Sequence, residues 1–139
     1  MADPLSSIMA LAGSGLRAQS IRMQVAAENL ANAQSTGSAS GADPYQRKTV
    51  TFSSVLDSQT QANLVSVSEI SRDRTPFPLE HRPGHPAADA AGYVKLPNVR
   101  PLVELADMRE AGRSYEANLN VVRQARQLQS MTIDLLRNS

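Results

Sequence analysis

The chain has 139 residues, a formal net charge of +1 and no cysteine or tryptophan. This length favours one domain or one elongated unit. The missing cysteines exclude disulfides, thiolate zinc sites and cysteine nucleophiles. The Lys and Arg residues are scattered, so the sequence predicts no basic patch that would bind nucleic acid. The aromatic residues that contribute most to many cores are scarce, with two Phe, three Tyr and no Trp. Many of the apolar residues are Ala, which favours closely packed helices over a thick globule.

Targeting signals are also weak. No stretch of about 18 apolar residues predicts a membrane span. The N-terminal stretch has no Lys/Arg cluster followed by a continuous apolar block, so we expect no Sec-type signal peptide.

The prolines separate the two ends of the chain from its middle. Residues 5–43 and 102–139 contain no proline. An interior proline costs a helix about 3 kcal/mol, so the two ends are free to be helical and the middle is not.

The first predicted helix runs from about Leu5 to about Asn32. Gly13 and Gly15 weaken it by roughly 1 kcal/mol each, and we expect them to let another backbone come close. Asn29 and Asn32 suit the end of a helix, where their amides satisfy open backbone groups. The apolar residues form one narrow face at spacings of three and four: Leu5, Ile8, Leu11, Leu16, Met23 and Leu30.

The middle of the chain is predicted to form short strands joined by proline turns. Strand patterns occur in "RKTVTF", with Val50 and Phe52 on one face, in "LVSVSEI", where Val alternates with Ser, and in "GYVKLP". We expect a small β element with modest burial and irregular loops.

The last predicted helix starts near Pro101 and continues for about 35 residues, or about 50 Å. Tyr115 is an isolated aromatic on its apolar face and is predicted to anchor a partner helix. The apolar positions follow a heptad-like seam: Leu102, Leu105, Met108, Tyr115, Leu119, Val122 and Leu128.

These elements predict a mainly α fold. Two long helices pair as an antiparallel or coiled-coil-like hairpin, with a small irregular β-hairpin region between them. The expected segments are 1–36 for the first helix, 37–98 for the loop and β region, and 99–139 for the second helix. One pair of narrow seams cannot close a core of normal depth, so the exposed seams predict neighbouring subunits in a helical assembly.

Two groups of residues could in principle form chemical sites: a pair of histidines and a cluster of carboxylates. His81 and His85 are four residues apart, but Pro83 and Gly84 between them make a polar turn the favoured interpretation over a metal site or a catalytic histidine. Glu104, Asp107 and Glu110 are interpreted as helix-surface charges that pair with arginines on the same helix, rather than as acid–base groups. No metal, cofactor or small-molecule site is predicted, nor an enzymatic activity.

Three stretches carry a resemblance to a known family. "AQSIRMQVAAENLANAQSTG" resembles the opening helix of flagellar axial proteins, including "NLAN". "PGHPAADAAGYVKLPNV" and "EANLNVVRQARQLQSMTIDLL" resemble a central motif and the C-terminal helix of the FlgC-type proximal rod family. The central motif comprises Gly92, Tyr93, Val94, Pro97 and Asn98.

The resemblance implies a structural subunit of the bacterial flagellar basal-body rod, which crosses the periplasm and transmits torque. It implies export through the flagellar type III apparatus without a cleaved signal peptide. The implied neighbours are further copies of the chain, proximal rod proteins of the FlgB and FlgF types, the distal FlgG type, a FliE-type adaptor and the MS ring. An alternative is a soluble helical adaptor or export chaperone of the same pathway.

The predicted assembly interface combines apolar seam positions with asparagines of the family motifs. Its residues are Leu16, Met23, Leu30, Asn29, Asn32, Leu105, Met108, Tyr115, Asn118, Leu119, Val122 and Leu128.

Overall fold

A computed structural model describes residues 3–139 and shows the order α1 (Pro4–Ala31), β1 (Lys48–Leu56), β2 (Asn63–Arg72), β3 (Leu79–His81), β4 (Tyr93–Lys95) and α2 (Pro101–Arg137). The predicted mainly α architecture is confirmed, because two long helices pack against each other and the middle holds small antiparallel strand pairs. Among the described helices, none is long and apolar enough to cross a membrane.

The ends of both helices follow local sequence signals. The Asp3 carboxylate accepts a hydrogen bond from the Leu5 N–H at 3.2 Å, and Pro4 occupies the first helical position, where its missing N–H costs nothing. Pro101 begins α2 in the same way. At the end of α1 the Asn32 amide donates to the Glu28 carbonyl at 2.9 Å, so Asn32 satisfies a terminal carbonyl as expected.

The chain divides into two compact units. Unit 1 holds the described residues up to Arg22 together with Thr51–Glu69 and Arg109–Ser139. Unit 2 holds Met23–Val50 and Ile70–Met108.

In unit 1 the two helices run antiparallel. A Cβ atom on Gly15 would lie 2.8 Å from the amide of Asn118, and Arg22 forms an ion pair with Glu110 at 3.2 Å. The hairpin of β1 and β2 is attached to α1, since the Ser14 hydroxyl accepts a hydrogen bond from the Val65 N–H at 3.1 Å. The expected backbone neighbour is therefore a side chain at Gly15, and a Cβ atom on Gly13 would meet only Arg17 Nη1, at the ordinary contact distance of 3.8 Å.

In unit 2 the chain forms a second, shorter strand pair. β3 and β4 are antiparallel, with Glu80 opposite Val94 and His81 opposite Tyr93. Val94 is fully buried and packs with Ala87, Ala88 and Leu96. The sequence predicted β4 but not β3, which has only three residues and lies between prolines.

The buried apolar residues are small. Every buried hydrophobic residue of the described chain is Ala or Val, as the low aromatic content led us to expect. The predicted alternation in β2 was wrong in detail, because Val65 is exposed while Ser66 and Val67 are both half-buried.

Candidate assembly site

The buried seam of α2 is a heptad row that its own chain covers. Glu104, Ala111 and Ala125 are at most 3% exposed, and Asn118, which falls in the same seven-residue series, is half-buried. Met108, Tyr115 and Val122 interleave with this row and are half-buried. Spacings of four and three keep all these positions on one helix face.

A second apolar stripe on α2 remains uncovered. Val121, Leu128 and Leu135 recur every seven residues and are 40%, 53% and 73% exposed, and Met131 lies between them at 54%. From residue 126 onward every residue of α2 is exposed. An apolar stripe of this length on one helix face is typical of a surface that binds another helix or a groove.

The predicted interface residues fall into three groups by exposure. Leu105 and Leu128 are exposed and free to meet a neighbour, whereas Asn29 is 1% exposed. The rest are half-buried at the edges of the helix pair: Leu16, Met23, Leu30, Asn32, Met108, Tyr115, Asn118, Leu119 and Val122.

Asn29 is the centre of a polar network in unit 2 and does not cap α1. Its Oδ1 accepts hydrogen bonds from the Lys48 N–H at 2.9 Å and the Tyr45 hydroxyl at 2.8 Å. Its Nδ2 donates to the Lys48 carbonyl at 2.9 Å and to Glu104 Oε2 at 3.3 Å. The expected capping role is thus wrong for Asn29, because its amide satisfies the first residue of β1 instead of the helix end.

Glu104 is also not the surface charge that the sequence suggested. Its carboxylate is 1% exposed and binds Arg47 Nε, and the Arg47 guanidinium also reaches Asp73 at 3.4 Å. A buried charge persists when it is paired and hydrogen-bonded. Glu110 likewise pairs with Arg22 of α1 rather than with an arginine of its own helix.

The ionisable groups of this network have shifted pKa values. Burial alone would lower the pKa of Arg47, but hydrogen bonds and attraction from Glu104 and Asp73 outweigh it and raise that pKa. The Thr75 hydroxyl and N–H, with a smaller effect of Arg47, lower the pKa of Asp73. Burial, followed by the nearby Glu28 carboxylate, raises the pKa of Tyr45. All three shifts favour the protonation states present at neutral pH, so the network is a structural clamp there.

The motif from Gly92 to Asn98 holds unit 2 together. Gly92 has φ +84°, and a Cβ atom there would lie 3.1 Å from His81 Nε2 and from Pro83. Tyr93 packs edge-on against His81, and Val94 and Pro97 are buried. Asn98 accepts a hydrogen bond from the Arg47 N–H at 2.7 Å and donates to the Asp73 and Thr75 carbonyls at 2.9 and 3.0 Å.

The two histidines have separate structural contacts. His85 Nδ1 accepts a hydrogen bond from the Ala87 N–H at 3.0 Å, which closes a turn, and His81 lies in β3 against Tyr93. The described residues contain no group of three or more His, Cys, Asp or Glu side chains placed to hold a metal ion.

Sequence reasoning missed Tyr45, Arg47 and Asp73, which lie in loops or at strand ends without a local pattern. For Glu104 the sequence offers only its position seven residues before Ala111. Because the structure shows Ala111 to be buried, the same heptad row puts the Glu104 carboxylate on the buried face, where it needs a cation.

The fold and this site define a mainly helical protein with an uncovered apolar helix face. A family model described as the C-terminal part of flagellar basal body rod FlgEFG proteins matches residues 90–135. The flagellar basal-body rod protein FlgC of Agrobacterium fabrum is 56% identical over 99% of this chain and 99% of its own length. The FlgC proteins of Escherichia coli O157:H7 and Bacillus subtilis are each 40% identical, over 94% and 81% of this chain and 97% and 85% of their own lengths.

Relatedness of this extent covers both helices and the β region. The chain belongs to the FlgC family of flagellar basal-body rod proteins.

Proposed function

We propose that the chain is a structural subunit of the flagellar basal-body rod and assembles through its two terminal helices. The observation that carries this proposal is the uncovered apolar stripe on α2, with Leu128 53% and Leu135 73% exposed. A stable monomer rarely leaves so regular an apolar row in water, whereas a subunit packed among neighbours buries it. The relatives named as rod proteins support the same role.

The finer assignment is the proximal rod. In this proposal the chain lies in the basal body, contributes to the part of the rod that spans the periplasm, and transmits torque as a passive shaft element. It reaches that location through the flagellar export apparatus without a cleaved signal peptide. The role is structural rather than catalytic.

Its neighbours in this proposal are further copies of the chain and other rod proteins. The proximal FlgB and FlgF types, the distal FlgG type, the FliE-type adaptor and the MS ring are the candidates. The segments 1–36 and 99–139 form the inner tube, and 37–98 lies outside it. Met1 and Ala2, at the start of the first segment, lie outside the described residues.

We assign the interface to those predicted positions that retain exposed surface, chiefly Leu105 and Leu128 and the half-buried Tyr115, Leu119 and Val122. Asn29 acts on the interface indirectly, since it fixes the start of β1 against α1.

The test is a deletion strain complemented with a tagged wild-type chain. We expect the deletion to abolish swimming and rods, and the complemented strain to contain the tagged chain in purified rods. Rods that form without the chain would overturn the proposal. A chain that restores rods but stays in the cytoplasm would instead identify an export chaperone. His81→Gln and His85→Gln serve as controls and should swim normally.

A further inference from the structure

Unit 1 contains an open groove between α1 and the hairpin of β1 and β2. Its volume is about 360 Å³. Ser14, Ala18 and Ile21 line it from α1, and Val55, Leu64 and Val65 line it from the hairpin. The lining is thus mainly aliphatic.

The buried hydroxyl in the lining of the groove, that of Ser14, already has hydrogen-bond partners. The Ser14 side chain is 2% exposed; its hydroxyl donates to the Leu11 carbonyl at 2.7 Å and accepts from the Val65 N–H at 3.1 Å. A hydroxyl used in this way offers nothing to a polar ligand, so the groove suits an apolar occupant.

The exposed end of α2 has matching chemistry. Leu128, Met131 and Leu135 lie on one face at spacings of three and four, and each is at least 53% exposed. Such a row is the usual pattern of a helix that lies in an apolar groove.

The charges at the two surfaces are complementary. Arg17 lies at the groove and has no acidic partner among the described residues. Asp134 lies beside the apolar row of α2. Within residues 3–139 it has one ion pair, with Arg137 at 3.5 Å, and both side chains are largely exposed. An exposed pair of this kind contributes little, so Asp134 remains available to a better cation.

The groove cannot be filled by the same chain's own helix end. Asn118 of α2 contacts Gly15, beside the groove, and Leu128 lies ten residues further along the helix. A continuous helix carries Leu128 about 15 Å past that contact. Because α1 starts only at Pro4, the end of α2 projects beyond it.

We propose that this groove receives the end of α2, residues 128–135, of a second copy of the chain, with Asp134 of that copy facing Arg17. The assignment rests on the proposed role as a rod subunit and names the contact between adjacent copies. Groove and helix end are different surfaces, so the contact is head-to-tail. Repeated without closure, it gives a helical row of subunits.

Cross-linking tests the contact directly, because the chain has no cysteine. A strain that lacks the native chain expresses two differently tagged versions, one with Val65→Cys and one with Leu135→Cys. Its purified basal bodies are treated with a short bis-maleimide. We expect a dimer that carries both tags. The matched control replaces Leu135→Cys by Arg126→Cys. Nine residues of helix place Arg126 on the opposite side of α2 from Leu135, and the residue is exposed, so it should give no dimer.

The outcomes separate this proposal from the rod assignment. If both versions are in the rods but no dimer forms, or the control pair cross-links equally, the groove contact is wrong and the rod role stands. A cross-link to a different protein overturns the choice of a second copy. If the wild-type chain is absent from rods, both proposals fail. Where the first pair does not assemble, Leu64→Cys with Met131→Cys replaces it.

A charge exchange provides an independent readout. Arg17→Glu and Asp134→Arg should each reduce incorporation into rods several-fold, and the two changes combined in one chain should restore it. A double variant that incorporates as poorly as the single variants would contradict the pairing of these two residues.

Discussion

At the scale of single residues, Asn29 makes the most side-chain hydrogen bonds of the asparagines that the sequence marked as functional. It makes four hydrogen bonds within unit 2, two of them to the backbone of Lys48. The pattern "NLAN" pointed to this residue, but it predicts only that an asparagine amide bonds backbone groups near the end of the helix. Which backbone it binds depends on where β1 begins.

Asn29→Ala should lower the free energy of unfolding by about 2–3 kcal/mol, because it leaves the Lys48 N–H and the Tyr45 hydroxyl without this acceptor and removes one hydrogen bond from the buried Glu104. Asn32→Ala is the matched control. Among the described residues, the Asn32 side chain bonds only to the Glu28 carbonyl and the half-buried Ser35, so a loss of about 0.5–1 kcal/mol is expected. Urea denaturation followed by circular dichroism measures both; equal losses would refute the central role of Asn29.

The network also predicts an acid sensitivity. Thr75 and Arg47 hold the pKa of Asp73 below its ordinary value, which is about 3.9 in an unfolded chain. A lowered pKa adds stability that is complete above about pH 4 and is lost as the pH falls through the folded-state value.

Denaturation between pH 2 and pH 5 should therefore show stability falling below about pH 4, less steeply in Asp73→Asn. The Thr60 hydroxyl also lowers the pKa of Asp57. The stability of Asp73→Asn therefore still falls between pH 5 and pH 2, but less steeply than that of the unchanged chain. An unchanged slope in Asp73→Asn would contradict this account.

At the scale of elements, the close approach of the helices in unit 1 depends on Gly15. A Cβ atom there would lie 2.8 Å from Nδ2 and 2.9 Å from Cγ of Asn118, so the Asn118 side chain has to move. Gly112 of α2 has nothing within 4 Å of a Cβ position. The two glycines look alike in the sequence, and only packing distinguishes them.

Gly112→Ala should raise the free energy of unfolding by about 0.5–1 kcal/mol, the usual gain in a helix interior. Gly15→Ala should lose that gain and destabilise the chain. Combining Gly15→Ala with Asn118→Ala should recover stability, since the conflict is between these two side chains. Thermal unfolding of the three variants checks this, and a stabilising Gly15→Ala would show that the helices are not in tight contact.

The turn before β4 gives a second comparison between two glycines. Gly92 has a positive φ and crowded surroundings, whereas a Cβ atom on Gly84 meets nothing within 4 Å. Gly92→Ala should cost about 1–3 kcal/mol, and Gly84→Ala should change little. Thermal unfolding measures both, and similar effects would argue against a strained turn at Gly92.

At the scale of the whole molecule, one face of α2 is exposed, and we propose that a neighbouring subunit covers it. Leu128→Asp should leave the helix content and unfolding of the purified chain unchanged, because the side chain is 53% exposed. It should abolish incorporation into rods, since a carboxylate would be buried unpaired in the assembly. Ser130→Asp is the control, because Ser130 is equally exposed and lies about 160° round the helix from Leu128; it should support normal swimming. Normal rods with Leu128→Asp would exclude this face as an interface.

The sequence by itself determined the two long helices, their limits near Pro4 and Pro101, the polar, proline-broken middle and the shortage of large core residues. Those properties follow from local rules, since proline geometry, capping and apolar periodicity act within a few residues. The same rules showed that one chain cannot bury all of its seams.

Only the tertiary structure decided that Glu104 is buried with Arg47, that Asn29 holds β1, and that the seam through Ala111 is covered while the stripe through Leu128 is exposed. Each of these depends on how α2 is rotated about its own axis relative to the segments of the same chain that it packs against. That angle is set by contacts such as Gly15 against Asn118, far apart in the chain, and no local pattern contains it.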